Sequence, residues 1–196
     1  MYVTRSKQHW PTKKTWETLS NLLRNIVRFV LFILLQVYVL NQVPPLHQFA
    51  IPYLYFLFIL WLPFNINRFF LLVIAFIYGF SLDAFTGNYG LHSAPCLLIA
   101  YLRPFLLNLL IPQETTEQSY IEPSIKSMGW APYSLYIVLL TFIHHAYLVL
   151  IEWLNFSGNF IYFLGKVAGI TAISLLLIFI TEMLFFRKGK YRTNAA

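Results

Sequence analysis

The chain has 196 residues, of which 59% are hydrophobic and 11% are charged. Soluble domains carry about 25% charged residues, so this composition excludes an ordinary soluble protein and indicates an integral membrane protein. The net charge of +7 comes from Lys and Arg residues that flank apolar runs. This distribution favours a topology signal and contact with membrane lipids over nucleic-acid binding.

Six apolar segments follow one another along the chain, most of them near the roughly 17–25 residues that cross a membrane. They are approximately residues 22–42, 49–63, 68–86, 91–111, 133–154 and 160–186. The second is short, and Arg103-Pro104 interrupts the fourth. We therefore predict an all-α integral membrane protein, a compact bundle of six transmembrane helices over residues 22–186 with a cytoplasmic loop at 112–132. A basic N-terminal segment, 1–21, precedes the bundle, and a basic tail, 187–196, follows it.

The basic residues orient this bundle. If the N-terminus is cytoplasmic, all of the 14 Lys and Arg residues except Lys166 lie on the inner side. The positive-inside rule thus predicts that both termini are cytoplasmic. The stretch from Thr15 to Arg24 is expected to be either an interfacial helix or a disordered basic tail.

The stretch from Gly79 to His92, where the third segment ends and the fourth begins, contains the lone aspartate, Asp83, and three glycines, Gly79, Gly87 and Gly90. A carboxylate is expensive in hydrocarbon, so Asp83 is expected to lie at a membrane surface or against protein. Two arrangements are open. In one, Asp83 pairs with Arg103 and holds the two helices in register. In the other, Asp83 caps the next turn through backbone N–H groups while Arg103 extends toward the interface.

Other polar residues within the spans indicate contacts between helices and not a metal site. His144 and Glu152 lie near one face of the fifth helix, but two turns separate them, and no second cluster completes a metal site. We expect His144 and its neighbour His145 to make polar contacts between helices. Glu182 is expected to reach the interface or to pair with Arg187 or Lys188.

The last helix carries small residues at Gly165 and Gly169, a spacing that permits close packing of helices and leaves a homodimer open. The single cysteine, Cys96, supports neither a disulfide nor a metal cluster. We find no catalytic motif of the hydrolase, zincin or nucleotide-binding kinds, and predict no enzyme activity, metal or cofactor.

With the spans assigned, the chain resembles the MreD family of bacterial rod shape-determining membrane proteins. The residues that carry this resemblance are Ala75-Phe-Ile-Tyr-Gly79, Leu82-Asp83, Gly87, Gly90-Leu91-His92, Leu102-Arg103-Pro104, Asn25-Ile-Val-Arg28, Leu34-Leu-Gln36, Glu122 to Gly129 and Ile143-His-His145. The basic extension before Asn25 departs from the family pattern.

The resemblance implies a non-enzymatic scaffold of the cell-elongation complex in the bacterial cytoplasmic membrane. Its expected partners are MreC, which has one span, the actin-like MreB, the polymerase RodA and a penicillin-binding transpeptidase. It also implies helix-on-helix binding of a partner span, with the Asp83–His92 turn as a further contact.

The alternative is a substrate-binding subunit of a vitamin-type transporter. Substrate-binding components of energy-coupling-factor transporters are also six-helix proteins, and MreD-like proteins resemble them in architecture. In this alternative, His92, Asn88 and Glu152 would line a small-molecule site near the outer face. A small molecule retained on purification would favour the transporter.

Overall fold

The computed structural model describes the backbone of residues 13–44, 51–111, 121–156 and 159–185, and side chains within 19–44, 51–111, 121–154 and 159–184. Within these ranges the chain forms helices and connections, with no β-strand. The helices are α1 (Lys13–Tyr38), a 3₁₀ turn (Leu40–Gln42), α2 (Leu57–Leu60), α3 (Arg68–Thr86), α4 (Ser93–Leu110), α5 (Ile125–Met128), α6 (Trp130–Phe156) and α7 (Phe160–Phe185).

Five of the described helices are long and apolar enough to cross a membrane. Their spanning stretches are Leu19–Gln42, Arg68–Thr86, Ser93–Leu110, Trp130–Leu154 and Phe160–Leu184. The prediction of an all-helical, multi-pass membrane protein is confirmed at this level. The predicted third, fourth, fifth and sixth segments match α3, α4, α6 and α7 within a few residues.

Two boundaries differ from the prediction. Helix α1 begins at Lys13, so the stretch from Thr15 to Arg24 is helical and continuous with the first span. The predicted loop 112–132 contains α5 and the start of α6, because Ser124 caps α5 through a reciprocal hydrogen-bonded box with Ser127. Residues 1–12, 112–120 and the predicted tail 187–196 lie outside the described residues.

The second predicted span is not a long helix. Residues 51–54 have no regular secondary structure, and only Leu57–Leu60 forms a single helical turn. We call residues 51–63 the inner segment, because its side chains from Tyr55 to Leu60 are at most 3% exposed and occupy the middle of the protein. Its apolar composition therefore reflects burial against the other helices, which the sequence pattern alone does not distinguish from a lipid-facing helix.

The long helices pack in the order α3, α4, α6 and α7, and α1 lies against α3 and α2. The turn at 87–92 joins α3 to α4, and we call this end of the bundle the turn end. At the opposite end, Arg24 and Arg28 of α1 contact Glu122, which precedes α5. The Arg28 guanidinium also lies over the ring of Trp61, 5.5 Å from its centroid. We call this the basic end.

Candidate functional site

The turn between α3 and α4 is built around the Asp83 carboxylate, which is fully buried. Its oxygens accept hydrogen bonds from the backbone N–H groups of Gly90 (2.9 Å), His92 (2.8 Å) and Ser93 (3.1 Å). The Nδ1 atom of His92 lies 2.9 Å from the same carboxylate. Negative charge at the start of α4 also complements the helix dipole. Asp83 therefore caps the turn, as one of the two predicted arrangements required.

Two of the three predicted glycines serve the backbone of this turn. Gly87 ends α3 with φ +72°, and Gly90 has φ +93°, a left-handed conformation that side chains other than glycine rarely adopt. This reversal directs the following N–H groups back toward Asp83. The glycines and the aspartate thus act as one structural unit.

Gly79 has a different role, because it allows α3 and α4 to touch. A Cβ atom placed on Gly79 would lie 2.4 Å from Cα of Ser93 and 2.9 Å from both the His92 carbonyl oxygen and the Ser93 nitrogen. These are backbone atoms, which cannot rotate away. Gly79 therefore determines how closely the start of α4 approaches α3.

Of the two arrangements left open, the direct pair of Asp83 with Arg103 is wrong. The other holds for Asp83, but Arg103 is buried and bonds protein groups instead of reaching the interface. Arg103 is 1% exposed and lies toward the basic end, where its Nε donates to the Tyr136 hydroxyl (3.1 Å). Its Nη2 donates to the carbonyl oxygens of Leu62 and, at 3.4 Å, of Pro63. These carbonyls follow a single turn of helix, so no backbone N–H of a continuing helix donates to them. Arg103 supplies that missing donor.

Side chains from the surrounding helices bond the backbone of the inner segment along its length. The Oε1 atom of Gln36 accepts from the N–H groups of Leu54 (2.9 Å) and Tyr55 (3.4 Å), while its Nε2 donates to the Pro52 carbonyl (3.1 Å). The Ser174 hydroxyl accepts from the N–H of Tyr53 (3.2 Å). Gln36 thus replaces part of a missing backbone ladder, which suits a non-helical chain buried among membrane helices.

Two buried tyrosines bond the inner segment further toward the basic end. The hydroxyl of Tyr78 donates to the Tyr55 carbonyl (2.9 Å), and that of Tyr136 donates to the Leu60 carbonyl (3.0 Å). Sequence reasoning did not single out Gln36, Tyr78 or Tyr136 as site residues. An amide within an apolar span was a usable signal for Gln36, because a polar group there needs a partner.

The two adjacent histidines contact different neighbours, as the prediction of polar contacts between helices requires. Nε2 of His144 lies 2.9 Å from the Tyr55 hydroxyl, and its ring stacks on Phe56 at 4.4 Å. His145 faces α7, where the hydroxyls of Thr171 and Ser174 each lie 3.4 Å from a ring nitrogen. His144 therefore holds the inner segment, and His145 joins α6 to α7. Among the described residues, no group of three His, Cys, Asp or Glu could hold a metal ion.

The remaining predicted acids lie at opposite ends of α6 and α7. Glu152 pairs with Lys166 at 2.5 Å toward the turn end. Glu182 lies at the basic end, where it accepts hydrogen bonds from Nε1 of Trp61 (2.8 Å) and from the Tyr133 hydroxyl. Its predicted partners Arg187 and Lys188 lie outside the described residues.

Gly165 and Gly169 are half-buried on α7, which packs along α6. They lie on the part of α7 nearest the turn end, beside the Glu152–Lys166 pair. Small residues there suit close approach of two helices.

Most of these buried polar side chains bond turn amides, carbonyls of the inner segment or one another, and so they hold the backbone in place. Such a network specifies one packing of the helices, because each unpaired group would be costly in a low-dielectric interior. Within the described residues, Thr141 Oγ1 and Nδ1 of His144 are buried without a hydrogen-bond partner. Comparisons of the chain with models of protein families, with curated proteins and with solved structures found no match.

Proposed function

We propose that this protein is a non-enzymatic membrane scaffold that binds the single span of an MreC-like protein within a bacterial cell-elongation complex. Its location would then be the bacterial cytoplasmic membrane, and its role would be to help position peptidoglycan synthesis. The proposal rests on the resemblance of the turn and span residues to the MreD family. In structural terms it rests on the outward face of α1.

The face of α1 is the observation that carries this proposal. In its most apolar stretch, 17% of the residues are buried inside the protein, against 28–44% for the other four spanning helices. Large apolar side chains follow one another along the exposed side: Leu19, Leu22, Leu23, Ile26, Val27, Val30, Leu31 and Leu34. A helix with so little of its surface packed internally is the best placed of the five to pack against a partner span.

The turn end offers a second contact for the partner. Asp83 is buried beneath the turn, so it shapes this surface from inside and does not touch the partner itself. Between the exposed glycines Gly87 and Gly90, Asn88 and Tyr89 present exposed side chains, and Tyr89 is 72% exposed. Aromatic side chains with a polar tip are favoured both in protein interfaces and at the membrane surface. We place the partner contact at these two residues.

We also infer that the inner segment is a sixth pass. Tyr53 contacts Ser174 of α7, and Trp61 contacts Glu182 eight residues further along the same helix, a rise of about 12 Å. The inner segment thus runs beside α7 in the same direction, toward the basic end. The eight residues from Tyr53 to Trp61 therefore advance about 12 Å along α7. At the same rate the thirteen residues of the inner segment cover about 20 Å, or roughly two thirds of a hydrocarbon core of about 30 Å.

A sixth pass supports the predicted topology. The start of α1 and the end of α7 both lie at the basic end, because Trp61 contacts Arg28 and Glu182 together. With the basic end cytoplasmic, both termini are inside, in line with the positive-inside rule. Six passes of this kind are compatible with the architecture of energy-coupling-factor substrate-binding components, which we keep as a proposal for the fold.

Purification of the tagged full-length protein from its native membrane in mild detergent tests the function. Recovery of an MreC-like protein, with or without RodA and its transpeptidase, supports the scaffold. Recovery of paired ATPases with a membrane coupling subunit, or of a bound vitamin, overturns it in favour of transport. The transport alternative is weakened because His92 and Glu152 already have internal partners, Asp83 and Lys166.

Site-specific photo-crosslinking tests the face itself with a matched pair of positions. Val30 on α1 is 47% exposed and Ile180 on α7 is 44% exposed. Val30 lies two residues from the buried Phe32, and Ile180 lies two residues from the buried Glu182. Both Phe32 and Glu182 contact Trp61. A photo-reactive amino acid at Val30 should capture the MreC-like span, and one at Ile180 should not. Equal capture at both positions, or capture at Ile180 alone, would remove α1 as the docking face.

A further inference from the structure

A cavity of about 420 Å³ lies at the basic end, where α5 and the first turn of α6 meet the last turns of α7. Its volume is within the range of about 300–1,000 Å³ that is usual for small-molecule sites. The residues that line it include Lys126, Trp130, Phe179, Glu182 and Met183. The cavity is separate from the turn around Asp83 and from the face of α1.

The mouth of this cavity faces the lipid. Trp130 is 66% exposed and Met183 is 76% exposed, and Leu184 and Ile180 continue an apolar exposed surface along α7. On the outside of a bundle of membrane helices, such a surface contacts hydrocarbon. Trp130 also begins α6, where an aromatic ring is favoured at the boundary between acyl chains and headgroups. The cavity therefore lies at headgroup depth and extends into the acyl region.

Two opposite charges line this otherwise apolar space. Lys126 is exposed, and a lysine beside a membrane surface attracts lipid phosphate. Glu182 is 7% exposed, and Trp61 and Tyr133 both donate to its Oε1 atom, which holds the carboxylate in place at the cavity wall.

We propose that the cavity binds one aminophospholipid of the leaflet at the basic end. One acyl chain lies along Phe179, Met183 and Trp130, the phosphate lies at Lys126, and the primary ammonium group donates to Glu182. The pair of charges matches a zwitterionic headgroup of this kind. A lipid whose headgroup carries only negative charge offers no cation to the Glu182 carboxylate. A choline headgroup has no N–H to donate.

Native mass spectrometry of the full-length protein, delipidated in detergent, tests this proposal. The probes are phosphatidylethanolamine, phosphatidylcholine and phosphatidylglycerol with identical acyl chains. We expect the first to bind about tenfold more tightly than either of the others, which corresponds to about 1.4 kcal/mol. Equal binding of the three lipids, or preference for phosphatidylglycerol, would overturn the proposal. So would photo-crosslinking from Trp130 that captured a protein in place of lipid.

Two variants separate the headgroup contacts. Lys126→Gln and Glu182→Gln should each remove most of the tenfold preference for phosphatidylethanolamine, and the melting temperature of each variant checks that it is folded. Lys126 is exposed, so its substitution tests the site even if the Glu182 variant is unstable. Lys166→Gln, a matched removal of a lysine from an ion pair at the turn end, should leave the preference unchanged. A preference that survives Lys126→Gln in folded protein would exclude this site.

Discussion

Replacing Gly79 with alanine should destabilise the α3–α4 pair, because the added methyl group meets backbone. Its Cβ would lie 2.4 Å from Cα of Ser93, whereas carbon atoms in contact are separated by about 3.5–4.0 Å. The start of α4 must therefore move by roughly 1 Å. That movement also lengthens the bonds from the N–H groups of His92 and Ser93 to Asp83, now 2.8 and 3.1 Å.

Overpacking of this kind costs about 1–3 kcal/mol, and weakened bonds to a buried carboxylate add to it. Alanine is a better helix former than glycine by about 0.8–1.0 kcal/mol, which offsets part of this cost. We expect a net loss of about 2 kcal/mol, or a fall in melting temperature of roughly 4–8 °C for a chain of this size. Thermal unfolding of the purified protein in detergent measures this change.

Two comparisons distinguish the clash from other effects. Gly87→Ala has open space around the new methyl group, so its cost comes only from the left-handed backbone, about 1–2 kcal/mol. Ser93→Gly should not rescue Gly79→Ala, because the clash involves the Ser93 backbone and not its side chain. A Gly79→Ala protein as stable as the wild type, or rescued by Ser93→Gly, would refute the close approach.

Three further substitutions test the polar framework, each through the melting temperature in the same detergent. Asp83→Ala leaves three backbone N–H groups without their acceptor and should cost about 3–5 kcal/mol. Maleimide should also label the buried thiol of Cys96 faster in this variant. Asp83→Asn, which keeps an acceptor oxygen, should cost less. Gln36→Leu should cost about 2–4 kcal/mol, because the inner segment loses three hydrogen bonds. The control Gln42→Leu, at an exposed position of the same chain region, should change stability by no more than about 0.5 kcal/mol. Arg103→Met leaves two carbonyls without their donor and should cost about 2–4 kcal/mol; an unchanged melting temperature would contradict the role given to Arg103.

Local signals in the sequence predicted the long helices well. The apolar runs behind α3, α4, α6 and α7 have lengths suited to a membrane, and Gly87 and the adjoining residues mark a turn through their backbone preferences. These signals depend only on neighbouring residues, so they do not need the rest of the fold. The prediction of residues 49–63 as a helix failed because hydropathy is such a local signal. Hydropathy reports that a segment leaves water, but it does not report where its backbone bonds go.

The sequence could not choose between a pair of Asp83 with Arg103 and a cap by Asp83, because it does not show which unpaired backbone groups lie beside each side chain. Both side chains are buried, but each meets a different set of unsatisfied backbone groups. Asp83 lies beside the N–H groups at the start of α4, and Arg103 lies beside the carbonyls at the end of the inner segment. Those backbone groups become available only after the chain has turned or left a helix.

The sequence by itself therefore determined the class of protein, the positions of four of its long helices and the turn between α3 and α4, because hydropathy and backbone preference act locally. Only the tertiary structure decided the path of the inner segment, the role of Gln36 and the partners of Asp83 and Arg103. These depend on which side chains and which unpaired backbone groups meet across helices. In an interior without water, an unpaired polar group is costly, so most such groups find their partners within the protein.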